Sequence, residues 1–149
     1  GQHQLLLQFD AVPTFLEGGG PVQRSANYTP IANTKIPFVF ASCLRGMQNC
    51  VIPVTTPELG KFSYRIRVGF SALPGDEPGQ RVFDMTLNGN KVLEGYDILN
   101  ESGQSDRAVW KEFVVEIEKD LTIELSSRSG PSDLSRMPLI NAVQVHRIN

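Results

Sequence analysis

The residues that could carry out chemistry in this chain are few and widely separated. The two histidines are His3 and His146, near opposite ends of the sequence. A Ser-His-Asp or Cys-His site needs a histidine held by a third group, and neither histidine has partners at a suggestive spacing. Cys43 likewise has no neighbouring group in the sequence that would activate its thiol. The sequence therefore gives no indication of nucleophilic catalysis.

Acidic side chains are the second group that could do chemistry, because glycosidases use a pair of carboxylates. Loops of any soluble domain carry such residues, so solvated charge is the favoured interpretation, and we expect no catalytic residue and no enzymatic activity. The loop carboxylates are Asp76, Glu77, Asp97, Glu101, Asp106 and Asp133.

Metal and phosphate sites have equally little support. The run Gly18-Gly19-Gly20 is not followed by Lys-Ser/Thr, as a phosphate-binding loop would be. No spacing resembles a calcium loop, although an irregular calcium site in the loops stays open. We expect no cofactor.

Aromatic side chains in loops would indicate sugar binding, because rings stack on sugar faces. Phe15 and Trp110 are better explained by packing in or beside the core. Tyr28 lies between polar residues and Pro30, where a ligand contact and packing are about equally good explanations.

Length and charge restrict the class of protein. The chain has 149 residues and a formal net charge of −2, which predicts a single domain, 1–149. Its basic residues do not cluster, which argues against nucleic acid as a partner. No apolar run approaches the roughly 20 residues that cross a bilayer, so we expect no membrane insertion. Cys43 and Cys50 could form a disulfide, but two free thiols are the favoured interpretation.

The stretch Arg81–Leu93 predicts a β-hairpin. Phe83, Met85 and Leu87 alternate with polar residues, as in a strand with one buried face. Asn88-Gly89 favours the positive φ angles of a type I′ turn. With that two-residue loop, Met85 is expected opposite Val92 and Thr86 opposite Lys91.

Alternating patterns elsewhere predict an all-β protein. Eight or nine strands separated by Gly, Pro and Asn turns are typical of a β-sandwich with jelly-roll-like connections. No stretch has a sustained helical period. We expect strands at Gln4–Phe9, Pro37–Ala41, Cys50–Val54, Lys61–Ala72, Val109–Ile117, Leu121–Leu125 and Pro138–Ile148, with loops at Ala11–Pro30, Ser42–Asn49, Asn100–Asp106 and Ser126–Arg136.

The hairpin and its neighbours resemble a known family, the malectin-like domains. Val82-Phe83-Asp84, Asn88-Gly89, Val92-Leu93 and Tyr96-Asp97-Ile98 are similar to that family's signature hairpin. Tyr64–Phe70, Ala108–Val115 and Pro138–Val145 resemble its strands before and after the hairpin. The resemblance covers roughly Lys61 to Ile148, is weaker over Pro37–Val54, and implies a malectin-like, galactose-binding-like β-sandwich.

The resemblance also implies a binding site. Loop aromatic residues and one Asp before the final strand hold a glucose disaccharide in malectin-like domains, and Asp133 matches that Asp. Leu73–Gln80 has no aromatic residue where the family has an aromatic pair, and Ser42–Gly46 has none where the family has binding tyrosines. The expected ligand-binding residues here are therefore Tyr28, Arg45 and Asp133, acting through hydrogen bonds more than through stacking.

The leading hypothesis is a non-catalytic carbohydrate-binding module within a larger exported protein, extracellular or periplasmic. Its expected partners are an oligosaccharide or polysaccharide and other domains of the same polypeptide. The alternative is a malectin-like structural or protein-interaction module that does not bind sugar. A hydrolase is a distant third hypothesis.

Overall fold

The computed structural model describes residues 4–8, 16–17, 20–23, 42–45, 48–128 and 136–148. These ranges contain twelve strands, one short helix α1 and a 3₁₀ turn at Pro57–Leu59. The strands are β1 Gln4–Gln8, β2 Leu16–Glu17, β3 Gly20–Gln23, β4 Ser42–Arg45, β5 Asn49–Pro53, β6 Phe62–Phe70, β7 Val82–Leu87, β8 Asn90–Asp97, β9 Val109–Ile117, β10 Asp120–Ser127, β11 Leu139–Ile140 and β12 Ala142–Arg147, and α1 spans Ile98–Ser102.

The strands form two main antiparallel sheets and one small sheet. The four-stranded sheet has the order β1-β12-β6-β9, and the five-stranded sheet has the order β2-β5-β10-β7-β8. A small sheet, β11-β4-β3, adds to them. This arrangement confirms the predicted all-β sandwich.

One hydrophobic core joins the inner faces of the two main sheets. Phe70 of β6 and Phe83 of β7 are fully buried, and their ring centroids lie 5.8 Å apart. Tyr96 of β8 completes the group, edge-on to Phe83 at 5.7 Å. Tilted and edge-to-face arrangements are the preferred geometries of aromatic pairs, so these three rings fix one sheet against the other.

The predicted hairpin is present, with one difference in register. Asn88 and Gly89 have φ angles of 46° and 82°, as the turn requires, and Thr86 pairs with Lys91 as expected. Met85 pairs with Leu93 rather than Val92. The prediction for Met85 was wrong because β8 carries an extra residue at this point, a β-bulge that period-two counting does not anticipate.

The chain passes from the small sheet to the four-stranded sheet at Asn141, so the single strand predicted for Pro138–Ile148 is in fact two. Asn141 is 1% exposed. Its backbone N–H donates to the Gly69 carbonyl at 2.9 Å, and its side-chain oxygen accepts the Ser71 N–H at 2.8 Å. A buried Asn thus satisfies backbone groups at the corner where the ladder is interrupted.

Two other expectations were wrong. Ser42–Arg45, predicted as connection, is strand β4, paired with β3 and β11. Asn100–Asp106, expected to be an exposed polar loop, is exposed at four positions, but its first three residues belong to α1. Asp97 caps that helix by accepting the Asn100 N–H, and Gly103 ends it with a φ of 79°. Five residues are too few to produce a recognisable helical period.

Cys50 is a free, fully buried thiol on β5. Burial raises the pKa of this thiol, which makes it less reactive. The favoured interpretation, a small apolar core group rather than half of a disulfide, is confirmed for Cys50. The strand predicted at Pro37–Ala41 lies outside the described residues.

Candidate functional site

Only one of the three predicted ligand-binding residues lies in the described part of the chain. Arg45 is half-buried at the end of β4, opposite Leu139 of β11 and Gly20 of β3. Tyr28 and Asp133 lie outside the described residues. The proximity of the three residues therefore stays a prediction.

The loop between β6 and β7, residues 71–81, lies at the same end of the sandwich as Arg45. Its anchor is Arg81, which is only 4% exposed. The guanidinium contacts Asp76 through two nitrogens, at 2.9 Å and 3.2 Å, and donates to the Met137 carbonyl. Met137 lies two residues before Leu139, the register partner of Arg45. Asp76 also accepts the Leu73 N–H at 3.1 Å, so both halves of the loop are fixed.

A second carboxylate ties this loop to β8 and α1. Asp97 accepts the Gly79 N–H at 2.6 Å with one oxygen and caps α1 with the other. Within the helix, Glu101 pairs with Lys111 of β9 at 3.1 Å. Carboxylates that hold backbone amides and lysines serve the fold, so these acidic residues of the loops have structural contacts.

Tyr96 is the phenol nearest to this end in the described residues, on β8 directly before Asp97. Desolvation by burial, together with the negative charge of Glu101, raises its pKa. A phenol with a raised pKa keeps its proton at neutral pH. Tyr96 is a buried ring of the core, packed edge-on against Phe83.

A shallow pocket of about 230 Å³ lies elsewhere, on the outer face of the four-stranded sheet. Arg65 and Arg67 of β6 line it together with Gln144 and His146 of β12. The register pairs Gln144 with Arg67 and His146 with Arg65, so alternate residues of two neighbouring strands meet on one side. We call this group the outer-face pocket.

Arg67 is fixed in the outer-face pocket by three contacts. Its Nη1 donates to Gln144 Oε1 at 2.9 Å. Its guanidinium lies 4.6 Å from the ring centroid of Trp110, within the range of a cation–π interaction. Glu112 Oε2 approaches its Nε at 3.9 Å, while Glu112 Oε1 lies 3.2 Å from Arg65 Nε.

The sequence did not predict the outer-face pocket, although it predicted the strands that carry the pocket's residues. Within the predicted strand Lys61–Ala72, Ser63, Arg65 and Arg67 alternate with apolar residues, which predicts a polar outer face. The pairing of β6 with β12 was not predictable from that pattern, so His146 was treated as isolated. Sheet topology is what brings it beside Arg65.

The described residues contain neither a metal-binding cluster nor a membrane-spanning helix. No three His, Cys, Asp or Glu side chains among them group closely enough to hold a metal ion. No helix in the described ranges is both long and apolar enough to cross a membrane.

Solved structures with a similar fold include large plant and bacterial proteins. The extracellular domain of ANXUR2 from Arabidopsis thaliana matches with a TM-score of 0.73 and 14% identity, over 91% of this chain and 41% of that one. A plant complex of the peptide RALF23 with FER and LLG2 matches with a TM-score of 0.71 and 18% identity, over 91% and 41%. A Bacteroides uniformis β-glucuronidase matches with a TM-score of 0.71 and 20% identity, over 90% and 14%. The chain thus spans about two fifths of the plant chains and a smaller part of the glucuronidase.

Comparison at the level of sequence identifies a family but no individual relative. No curated relative matches the chain. The family model for the malectin domain matches residues 21–132, which is more than half of the sequence and includes the hairpin and the loop that Arg81 anchors. The chain therefore belongs to the malectin domain family.

Proposed function

We propose that this domain is a non-catalytic carbohydrate-binding module of a larger exported protein. The observation that carries the proposal is the malectin match over residues 21–132, on a β-sandwich fold. Malectin-like domains are generally binding modules without catalysis. In agreement, Asp76, Asp97 and Glu101 hold backbone amides and basic side chains in this fold.

The proposed sugar site consists of Tyr28, Arg45 and Asp133. The β6–β7 loop, residues 71–81, is fixed by Asp76 and Arg81, and Arg81 links it to Met137, two residues before the register partner of Arg45. No residue of Leu73–Gln80 is aromatic, so that loop offers no ring for stacking. Hydrogen bonds from Arg45, Tyr28 and Asp133 to sugar hydroxyls are the proposed source of affinity.

Membership in a larger polypeptide agrees with the lengths of the similar structures. The chain covers 41% of the ANXUR2 extracellular domain and 14% of the β-glucuronidase. Modules of this fold therefore occur inside longer chains, one of them extracellular. We propose that this module also has neighbouring domains and works outside the cytoplasm, in an extracellular or periplasmic compartment.

A glycan array followed by isothermal titration of the 149-residue chain tests the proposed function. The expected result is saturable binding to at least one neutral or acidic glycan, weakened by Arg45→Ala, Tyr28→Ala and Asp133→Asn. Lys61→Ala is the control, since Lys61 is exposed and precedes β6 at the far end of that strand. Absence of binding across the whole panel would overturn the proposal.

A protein-interaction module is the second candidate function. The plant structure in which FER occurs with the peptide RALF23 and LLG2 shows this fold in a protein that binds a peptide. The lack of aromatic residues in Leu73–Gln80 also favours this candidate over stacking-based sugar recognition. Binding to a neighbouring domain or peptide, with no response to any glycan, would support it instead of the first.

A further inference from the structure

We propose that the outer-face pocket is a second glycan-contacting surface, which takes a sugar bearing a carboxylate or a sulfate group. This inference rests on the proposed function and specifies the class of sugar. The outer-face pocket is separate from the proposed site at Arg45, because it lies on the exposed face of the four-stranded sheet, midway along β6.

The charge of the outer-face pocket is the first observation. Arg65 and Arg67 contribute two guanidinium groups, and Glu112 contributes one carboxylate beside them. Glu116, the next acidic residue on this face of β9, lies farther along, opposite Ser63. The outer-face pocket is thus net positive before His146 is counted, on a chain whose net charge is −2.

The accessibility of the two arginines is the second observation. Their side chains are 44% and 39% exposed, so an incoming anion can reach them. Glu112 approaches both at Nε, the inner nitrogen of the guanidinium. Arg67 Nη1 donates to Gln144, so the terminal nitrogens of Arg65 are the groups that best match the paired oxygens of a carboxylate or sulfate.

Preorganisation is the third observation. Trp110 lies against the guanidinium of Arg67 and Gln144 accepts from it, so this side chain is held in place before a ligand arrives. A donor that is already positioned loses less conformational entropy on binding. Gln144 and His146 add polar groups that suit the hydroxyls of the same sugar ring.

The shape of the outer-face pocket favours a sugar over an acidic peptide. Its volume of about 230 Å³ is small and suits one ring or one acidic group rather than an extended side-chain array. Val114 is 64% exposed and lies beside Arg65 in the register. It offers an apolar surface for the C–H face of a sugar next to the charge.

The test compares binding of the full chain to three probes, which are an oligogalacturonate, a sulfated heparin-derived oligosaccharide and a neutral glucan of similar length. Arg65→Gln/Arg67→Gln is expected to weaken binding of the acidic probe roughly tenfold or more, because two charge-assisted contacts are lost. Lys61→Gln/Lys119→Gln removes the same charge from exposed positions and is the matched control, with an expected change of less than about twofold. Whichever acidic probe binds names the source of the anionic group.

A second variant distinguishes a loss of binding from a loss of folding. Gln144→Glu puts a carboxylate beside Arg67, which favours a local ion pair and repels an anionic ligand. It is expected to weaken binding of the acidic probe while the urea midpoint of unfolding is unchanged or higher.

The outcomes separate the two proposals. Binding of neutral glycans without binding of acidic ones overturns the outer-face proposal and leaves the proposed function standing. Binding of an acidic probe that is unchanged in Arg65→Gln/Arg67→Gln also overturns it. Equal competition by poly-glutamate would show general anion binding and overturn it as well. No binding of any glycan overturns both proposals.

Discussion

Arg81 and Asp76 form a buried, bidentate ion pair between the end and the middle of the β6–β7 loop. The guanidinium is 2.9 Å from one carboxylate oxygen and 3.2 Å from the other, and the two side chains are 5% and 8% exposed. Because Arg81 also donates to Met137, the pair links this loop to the segment that enters β11. The β6–β7 loop is therefore held from within and tied to the segment before β11.

Asp76→Asn is expected to lower the free energy of unfolding by about 3 kcal/mol, because it leaves the Arg81 charge buried without a carboxylate. Urea unfolding at pH 7 measures the effect. Glu77→Gln, one residue later and exposed, should change stability by less than about 0.5 kcal/mol. A loss below about 1 kcal/mol for Asp76→Asn would mean that Arg81 finds water or another acceptor instead.

Asn88 has a role beyond its turn conformation. Its side-chain oxygen accepts the Thr122 N–H at 2.6 Å, and its side-chain nitrogen donates to the Asp120 carbonyl at 3.1 Å. Asn88→Gly keeps the left-handed conformation without strain and removes both hydrogen bonds, so we expect a loss of about 1–2 kcal/mol. Thermal and urea unfolding measure it. A neutral or stabilising Asn88→Gly would show that only the φ angle matters.

Asp84 makes a pH-dependent contribution to the stability of the fold. The Gly95 N–H donates to this carboxylate at 2.7 Å, and Arg128 and Lys91 contact it at 3.0 Å and 3.4 Å. The backbone hydrogen bond from Gly95, together with the Arg128 and Lys91 contacts, lowers the pKa of Asp84. A lowered folded-state pKa stabilises the fold above the unfolded value of about 3.9, and this contribution disappears as pH falls through the folded-state pKa.

Asp84→Asn should therefore be less stable than the wild type at pH 7, by about 1 kcal/mol. The difference should shrink below about pH 4 and be smallest near pH 2. Urea midpoints of the wild type and of Asp84→Asn, measured from pH 2 to 7, give the profile. A difference between wild type and Asp84→Asn that is constant over the whole range would contradict a titrating carboxylate.

Phe83 is the buried residue that we expect to be most costly to truncate. It contacts both Phe70 and Tyr96, one on each main sheet. Phe83→Ala should lower the free energy of unfolding by about 3–5 kcal/mol, through lost burial and a cavity between the sheets. Val114→Ala is the control at an exposed β position and should cost less than about 0.5 kcal/mol. Similar losses for the two variants would contradict the assigned core.

The fold was largely predictable because burial on one face of a strand imposes a period of two on the sequence. Tyr64, Ile66 and Phe70 of β6 illustrate this, and all three are buried as the alternation predicts. Departures from that period were not predictable. The bulge at Val92 and the corner at Asn141 interrupt it, and the corner depends on hydrogen bonds to Gly69 and Ser71, which are distant in the sequence. The five-residue helix α1 is too short to show a helical period.

The sites were less predictable than the fold, since they depend on which strands become neighbours. Arg65 and His146 are 81 positions apart in the sequence and adjacent in the sheet, because β6 pairs with β12. The resemblance to a family supplied Asp133 and the segment that contains Arg45 as candidates, whereas Tyr28 came from its position as an aromatic residue in a predicted loop. The resemblance supplied nothing for the outer-face pocket, whose members are ordinary residues of two strands.

Isothermal titration of the 149-residue chain with the best glycan from an array of neutral and acidic oligosaccharides tests carbohydrate binding most directly. We predict saturable binding that Arg45→Ala or Arg65→Gln/Arg67→Gln weakens and that Lys61→Gln/Lys119→Gln leaves intact. Cooperative unfolding in urea shows that the chain used is folded. If such a chain gives no heat of binding with any glycan of the panel, the proposed carbohydrate binding is contradicted and the protein-interaction module is favoured.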